Sequence, residues 1–194
     1  MSNSAILTIT GSDSTGGSGV QADITTISAL GSKAVSVITS VTLQNTLGIQ
    51  HFYDLPAPIV SGQLDAIVDD VMPETVKIGM VRNTEVLKAI VSALRRYKPK
   101  SVVYAPVLFS SHGDRLMGTA TIEMIRHKLF PLCKVIIMRR RESDLLLSDC
   151  IADNVCFLDD AADHGSVNMF ASALAVYLNQ GDSVSDAIAK AHAF

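Results

Sequence analysis

Short apolar runs rich in β-branched residues recur along this chain, and a segment of helical period follows almost every one. The runs are Ile6–Thr10, Ala34–Ser40, Val76–Ile78, Val102–Val107, Val135–Met138 and, more weakly patterned, Val155–Leu158. The helical segments are Val20–Leu30, Ile59–Val71, Thr84–Tyr97, Thr119–Leu129, Phe170–Leu178 and Val184–His192. The first four runs are apolar on both faces, as parallel strands covered by helices on either side must be. This alternation predicts an α/β protein, a three-layer α/β/α sandwich around a mostly parallel central sheet. Helix starts fit at Pro58 and at Asn83-Thr84-Glu85, where a capping residue precedes an acidic first turn. Ile59, Leu64, Ile67, Val68 and Val71 are expected to share one helical face.

At 194 residues, with no linker, repeat or low-complexity stretch, the chain reads as a single domain. A net charge of -3 with 18% charged residues gives no electrostatic footprint for nucleic acid. Met1–Ala5 has no basic run ahead of the first apolar stretch, and no apolar run has the length of a membrane span. The three cysteines, Cys133, Cys150 and Cys156, are odd in number and lack metal-ligand spacing, so reduced thiols in a cytoplasmic protein are expected.

Ligands of open α/β sheets bind beyond the carboxyl ends of the strands, so the segments after each run are the candidate site. The first is Gly11-Ser12-Asp13-Ser14-Thr15-Gly16-Gly17-Ser18-Gly19, a glycine- and hydroxyl-rich turn opening a helix that carries Gln21 and Asp23. No Gly-Lys-Ser/Thr follows, so it is not a Walker A loop. After the second run comes Thr39–Thr46, a polar stretch that includes Gln44. One primary amide can pair with both the ring nitrogen and the amino group of an aminopyrimidine. The alternative is a loop bonded to its own backbone. Lys77-Ile78-Gly79-Met80 follows the third run; Met80 is a soft surface for a flat ring, or simply core. Arg139-Arg140-Arg141-Glu142 follows the fifth, either a phosphate grip or a solvated helix entry.

The wording of these segments resembles the hydroxymethylpyrimidine/phosphomethylpyrimidine kinases of thiamine biosynthesis. The resemblance rests on Gly11–Asp23, on Gln44, on Lys77-Ile78-Gly79-Met80, on Pro106-Val107 and on Asp114-Arg115-Leu116. It runs closely from Ile6 to about Leu132 and resumes from His164 to Phe194. It implies a ribokinase-like fold over 1–194, shortened around 145–163, where the family's adenine pocket would lie. It implies a pyrimidine substrate, 4-amino-5-hydroxymethyl-2-methylpyrimidine or its phosphate, ATP and Mg as cofactors, and a homodimer. The implied substrate residues are Gln44, Met80, Asp23, Ser18, Gly11 and Val107. Arg139 and Glu142 fall on the nucleotide side. Gly165, Ser166 and Asn168 fall at the catalytic helix, with no residue assigned to a metal.

The chain departs from the family's pattern at three positions. Ala105 stands where the family has a metal-side aspartate, Val167 replaces a glycine, and Asn168 replaces the Cys or Asp that takes the substrate proton. An amide does not titrate near neutral pH, which leaves Asp163 or His164 as other candidates for that role. Three readings follow: a working kinase, a non-catalytic pyrimidine-binding sensor, carrier or partner subunit, and a decayed kinase kept for its structure.

Overall fold

Strand β1 (Ile6–Ser12) enters the middle of the molecule with its first six residues fully buried, and every later element is arranged around it. A computed structural model describes residues 5–45, 47–110, 113, 115–147, 154–159 and 165–194. The chain continues through α1 (Gly19–Ala29), β2 (Ala34–Asn45), β3 (Gly48–Asp54), α2 (Ala57–Asp70), β4 (Thr75–Ile78) and α3 (Thr84–Tyr97). Then come β5 (Ser101–Tyr104), α4 (Thr119–Met124), β6 (Val135–Arg139), α5 (Arg140–Leu146), β7 (Val155–Leu158), α6 (Ser166–Asn179) and α7 (Val184–Ala193).

The strands of the described residues form one seven-stranded sheet in the order β3-β2-β1-β4-β5-β6-β7. All neighbours are parallel except β2 and β3. The sandwich expected from the alternation is therefore present, with β3 as an added antiparallel edge. Helices α2, α3 and α4 cover the face carrying Leu7, Ile9, Val76, Ile78, Tyr104 and Ile136. Helix α6 covers the other face over Ile6, Val103, Val135 and Ile137, and α1 and α7 pack against α6. Its residues Ala171, Ser172, Ala173 and Ala175 have no exposed surface, so small side chains let α6 lie close on the sheet. Asn83 caps α3, its side-chain oxygen accepting from the Glu85 N–H at 2.7 Å.

Several boundaries differ from expectation for identifiable reasons. The polar stretch after the second run is strand, because pairing with β3 carries β2 on to Asn45. β5 stops at Tyr104, since Pro106 has no N–H to give a neighbour. The fourth helix turns into a π segment at Ile125–Leu129 and ends in a 3-10 turn at Phe130–Leu132 containing Pro131. The buried stripe of α2 is Val60, Leu64 and Val68, while Ile59 is 54% exposed. Within 145–163, β7 pairs with β6; 148–153 and 160–163 lie outside the described residues. No helix among the described residues is long and apolar enough to cross a membrane.

Candidate functional site

The chain order β1 then β2 to one side, and β4 to the other, makes a switch point between β1 and β4. Neighbouring crossovers diverge there and leave a crevice at the carboxyl ends. A cavity of about 320 Å³ opens at that place.

The glycine turn forms one wall, and Asp13 organises it. Asp13 is 2% exposed; one of its carboxylate oxygens accepts from the N–H and hydroxyl of Thr15, the other from the N–H and hydroxyl of Ser18. Gln21 holds the same turn from the helix, its amide oxygen accepting from the Asp13 N–H at 2.9 Å. Gly19 has φ +59, and a Cβ there would meet the Gly11 carbonyl oxygen at 2.5 Å. The close crossing of these two backbones therefore requires glycine.

The β2–β3 hairpin forms the second wall. Thr42 and Gln44 face the cavity, while Val41 and Leu43 face outward and are exposed. The Thr42 hydroxyl donates to the Ser12 carbonyl at 2.9 Å and lies 3.4 Å from the Gln44 amide oxygen. Arg82 ties the hairpin down: its guanidinium stacks 3.8 Å from the centre of the Phe52 ring, and its Nε donates to the Leu116 carbonyl. Met80 forms the floor with its backbone held on both sides, its N–H by the Thr10 hydroxyl at 3.0 Å and its carbonyl by the Thr39 hydroxyl at 2.8 Å. Pro106 and Val107 complete this end.

The other end is polar. Arg139, Arg141 and Glu142 line it from the start of α5, and Gly165, Val167 and Asn168 line it from the start of α6. Glu142 is 5% exposed and accepts from the Arg139 N–H at 3.1 Å. Burial raises its pKa, against the lowering effect of the Arg139 and Leu108 N–H groups and of the two guanidinium groups. Gly165, with φ +84, caps α6 and packs on the Gly17 carbonyl, so the two glycine-bearing turns meet across the cavity.

Of the residues singled out from the sequence, Gln44, Met80, Ser18, Gly11, Val107, Arg139, Glu142, Gly165 and Asn168 line this one cavity. Two do not. Asp23 has no exposed surface and lies under the site, bound to Lys77, Ser172 and Thr8, so its expected contact with substrate is corrected to a place in the core. Its position one turn into α1 turns the carboxylate toward the sheet. Ser166 stands in the first turn of α6 off the cavity wall. Ala105 is fully buried against α6 with no exposed surface. Asp163 and His164 lie outside the described residues, as do Thr46, Ser111, His112, Asp114 and Cys150. Asp13, Thr42 and Arg141 also line the cavity; each lies in a segment the sequence marks as a candidate site without being singled out within it, and the Asp-Ser-Thr-Gly wording of the turn is the available signal for Asp13.

A divalent ion fits these residues poorly. Among the described residues no group of three or more His, Cys, Asp or Glu is placed to hold a metal. The lining carboxylates, Asp13 and Glu142, already accept from the neighbouring donors described above.

Comparison with known proteins agrees with this fold. The phosphomethylpyrimidine kinase family matches residues 13–162. A hydroxymethylpyrimidine/phosphomethylpyrimidine kinase of Rhizobium meliloti is 42% identical over 146 residues, covering 75% of this chain and 54% of its own. A thiamine biosynthesis bifunctional protein of Geobacter sulfurreducens is 32% identical over 231 residues, covering 96% of this chain and 47% of its own. The crystal structure of a phosphomethylpyrimidine kinase from Clostridium difficile superposes with a TM-score of 0.85 at 32% identity, covering 96% of each chain. The chain spans about half the length of the curated relatives it matches. With a ribokinase-like sheet and the family's match over most of its length, this chain belongs to the phosphomethylpyrimidine kinase family.

Proposed function

We propose that this chain binds the aminopyrimidine alcohol of thiamine biosynthesis, 4-amino-5-hydroxymethyl-2-methylpyrimidine, or its phosphate, and transfers phosphate from ATP slowly or not at all. The observation that carries this reading is a contrast inside one cavity. The ring end keeps the residue types that suit an aminopyrimidine: a half-buried amide at Gln44, a thioether at Met80 on a backbone held at both its N–H and its carbonyl, and an apolar wall at Val107. The transfer end has Asn168 where a proton acceptor is needed, and an amide cannot fill that role. Losing a general base costs about 10²–10⁴-fold in rate. Ala105 offers no oxygen ligand where the family resemblance implies a metal-side aspartate, and the described carboxylates do not assemble a metal site. The alignment with the Geobacter protein extends over 231 residues against a chain of 194, which supports an internal shortening.

Titration calorimetry with the pyrimidine alcohol and separately with Mg·ATP, followed by an assay for ADP release, tests the proposal. Heat with the alcohol and no ADP release is expected. Binding of both with steady ADP release would restore the working kinase, and absence of binding to either would favour a purely structural role.

A further inference from the structure

We propose that Ser40 is a specificity-determining residue of the ring site, its hydroxyl donating to the second nitrogen of a pyrimidine ring. The inference rests on the ring reading above. It adds the feature that separates a diazine from a pyridine, a nitrogen at the edge that Gln44 leaves unread.

An irregularity in the sheet aims this side chain. Thr10 of β1 pairs with Ile38 of β2, and Ser12 pairs with Val41, so Thr39 and Ser40 together stand opposite Gly11. Such a bulge breaks the alternation of side chains between the two faces of a strand. Both hydroxyls come to Met80. That of Thr39 donates to the Met80 carbonyl at 2.8 Å, and that of Ser40 lies toward the thioether end. A Cβ built on Gly11 would meet Met80 Cε at 2.6 Å and Ser40 Oγ at 2.8 Å. The hydroxyl and the methyl group therefore flank one point at Gly11, and Gly11 and Met80 both line the cavity.

Ser40 is 1% exposed, and its Oγ makes no hydrogen bond among the described residues. A buried hydroxyl in a folded protein ordinarily has a partner, so this one marks where a ligand atom belongs. The Met80 thioether ends an unbranched, flexible side chain, and a rotamer change that turns its methyl off Ser40 opens the hydroxyl to a ligand on the cavity floor. The spacing suits a ring. The Gln44 amide oxygen lies 3.4 Å from the Thr42 hydroxyl. Thr42 is two residues along β2 from Ser40, a rise of about 6–7 Å. A six-membered ring with a hydrogen bond at each edge spans a comparable length. The Gln44 amide pairs with the amino group and the ring nitrogen adjacent to it, while the other ring nitrogen can accept from a hydroxyl. A pyridine with C–H at that place would leave the Ser40 hydroxyl unpaired.

Calorimetry on the full chain compares the pyrimidine alcohol with its aminopyridine analogue, in which C–H replaces the ring nitrogen remote from the amino group. Ser40→Ala should lower the affinity ratio of alcohol to analogue by about three- to tenfold, the effect of one hydrogen bond. Comparing variant with wild type cancels the analogue's own difference in basicity. The melting temperature of Ser40→Ala should hold or rise, because the hydroxyl removed has no partner among the described residues. Gln44→Ala should weaken both probes alike, since both keep the amino group and its adjacent nitrogen. A ratio that Ser40→Ala leaves unchanged overturns the role of Ser40, while binding of the alcohol keeps the ring reading standing. A wild type that binds neither probe overturns both.

Discussion

Lys77 Nζ stands 2.8 Å from both carboxylate oxygens of Asp23, and neither side chain has any exposed surface. Ser172 of α6 donates to the same carboxylate at 2.9 Å and Thr8 of β1 donates at 2.5 Å, so one buried anion joins α1, α6 and two central strands. These elements carry the two turns that face each other across the cavity. Asp23→Ala strands a buried ammonium and is expected to cost about 3–5 kcal/mol of unfolding free energy. Asp23→Ala combined with Lys77→Met should cost clearly less than the single change. Urea denaturation of the three proteins checks this; equal losses would mean that the pair is not the source of the penalty.

Gln44→Ala should weaken binding of the pyrimidine alcohol by about 1–3 kcal/mol, the cost of leaving buried ring polar atoms unpaired. Its unfolding free energy should barely change, because the side chain is only half-buried and its hydrogen bond with Thr42 is long at 3.4 Å. Calorimetry and melting on the same preparation separate the two effects.

Gly165→Ala places a methyl against the Gly17 carbonyl at a residue with φ +84. A loss of about 1–3 kcal/mol in stability is expected from backbone strain alone. The pyrimidine alcohol should also bind more weakly, since the contact sets the distance between the glycine turn and α6. Gly62→Ala, where a Cβ meets nothing within 4 Å in the helical α2, is the matched control and should be neutral or stabilising.

The raised pKa of Glu142 has a definite sign in stability. Below its ordinary value both folded and unfolded states hold the proton, and the group is neutral to folding. As pH rises from there through the elevated folded value, the unfolded state releases its proton first, so stability falls across that window. Glu142→Gln keeps an oxygen for the Arg139 N–H and removes the titration. The variant should therefore gain on the wild type as pH rises above the ordinary carboxylate range, read from denaturation midpoints in a pH series.

Much of this arrangement was legible in the residues. The apolar runs locate the parallel strands, because strands covered by helices on both faces are largely apolar. The strand-end segments led to Gln44, Met80 and Arg139, because open sheets bind ligands there. The extension of β2 beyond Ser40 and the β2–β3 hairpin have no local signature, because Thr42 and Gln44 on the cavity side are polar; only pairing with Gly48–Asp54 makes this stretch strand. Asp23 was misplaced because a carboxylate near a glycine turn fits either the cavity or the core. Its rotation toward Lys77, distant by 54 residues in sequence, decides the matter. The clamp from Arg126 to α5 is likewise a long-range contact with no local signature.

A crystal of the chain soaked with 4-amino-5-hydroxymethyl-2-methylpyrimidine tests the ring site most directly. Difference density for a flat ring is expected between the Gln44 amide and Met80, with the hydroxymethyl arm directed toward Asn168 and Arg139. An empty Gln44 end in a crystal whose calorimetric titration shows binding, or a ring seated elsewhere, would contradict the assignment.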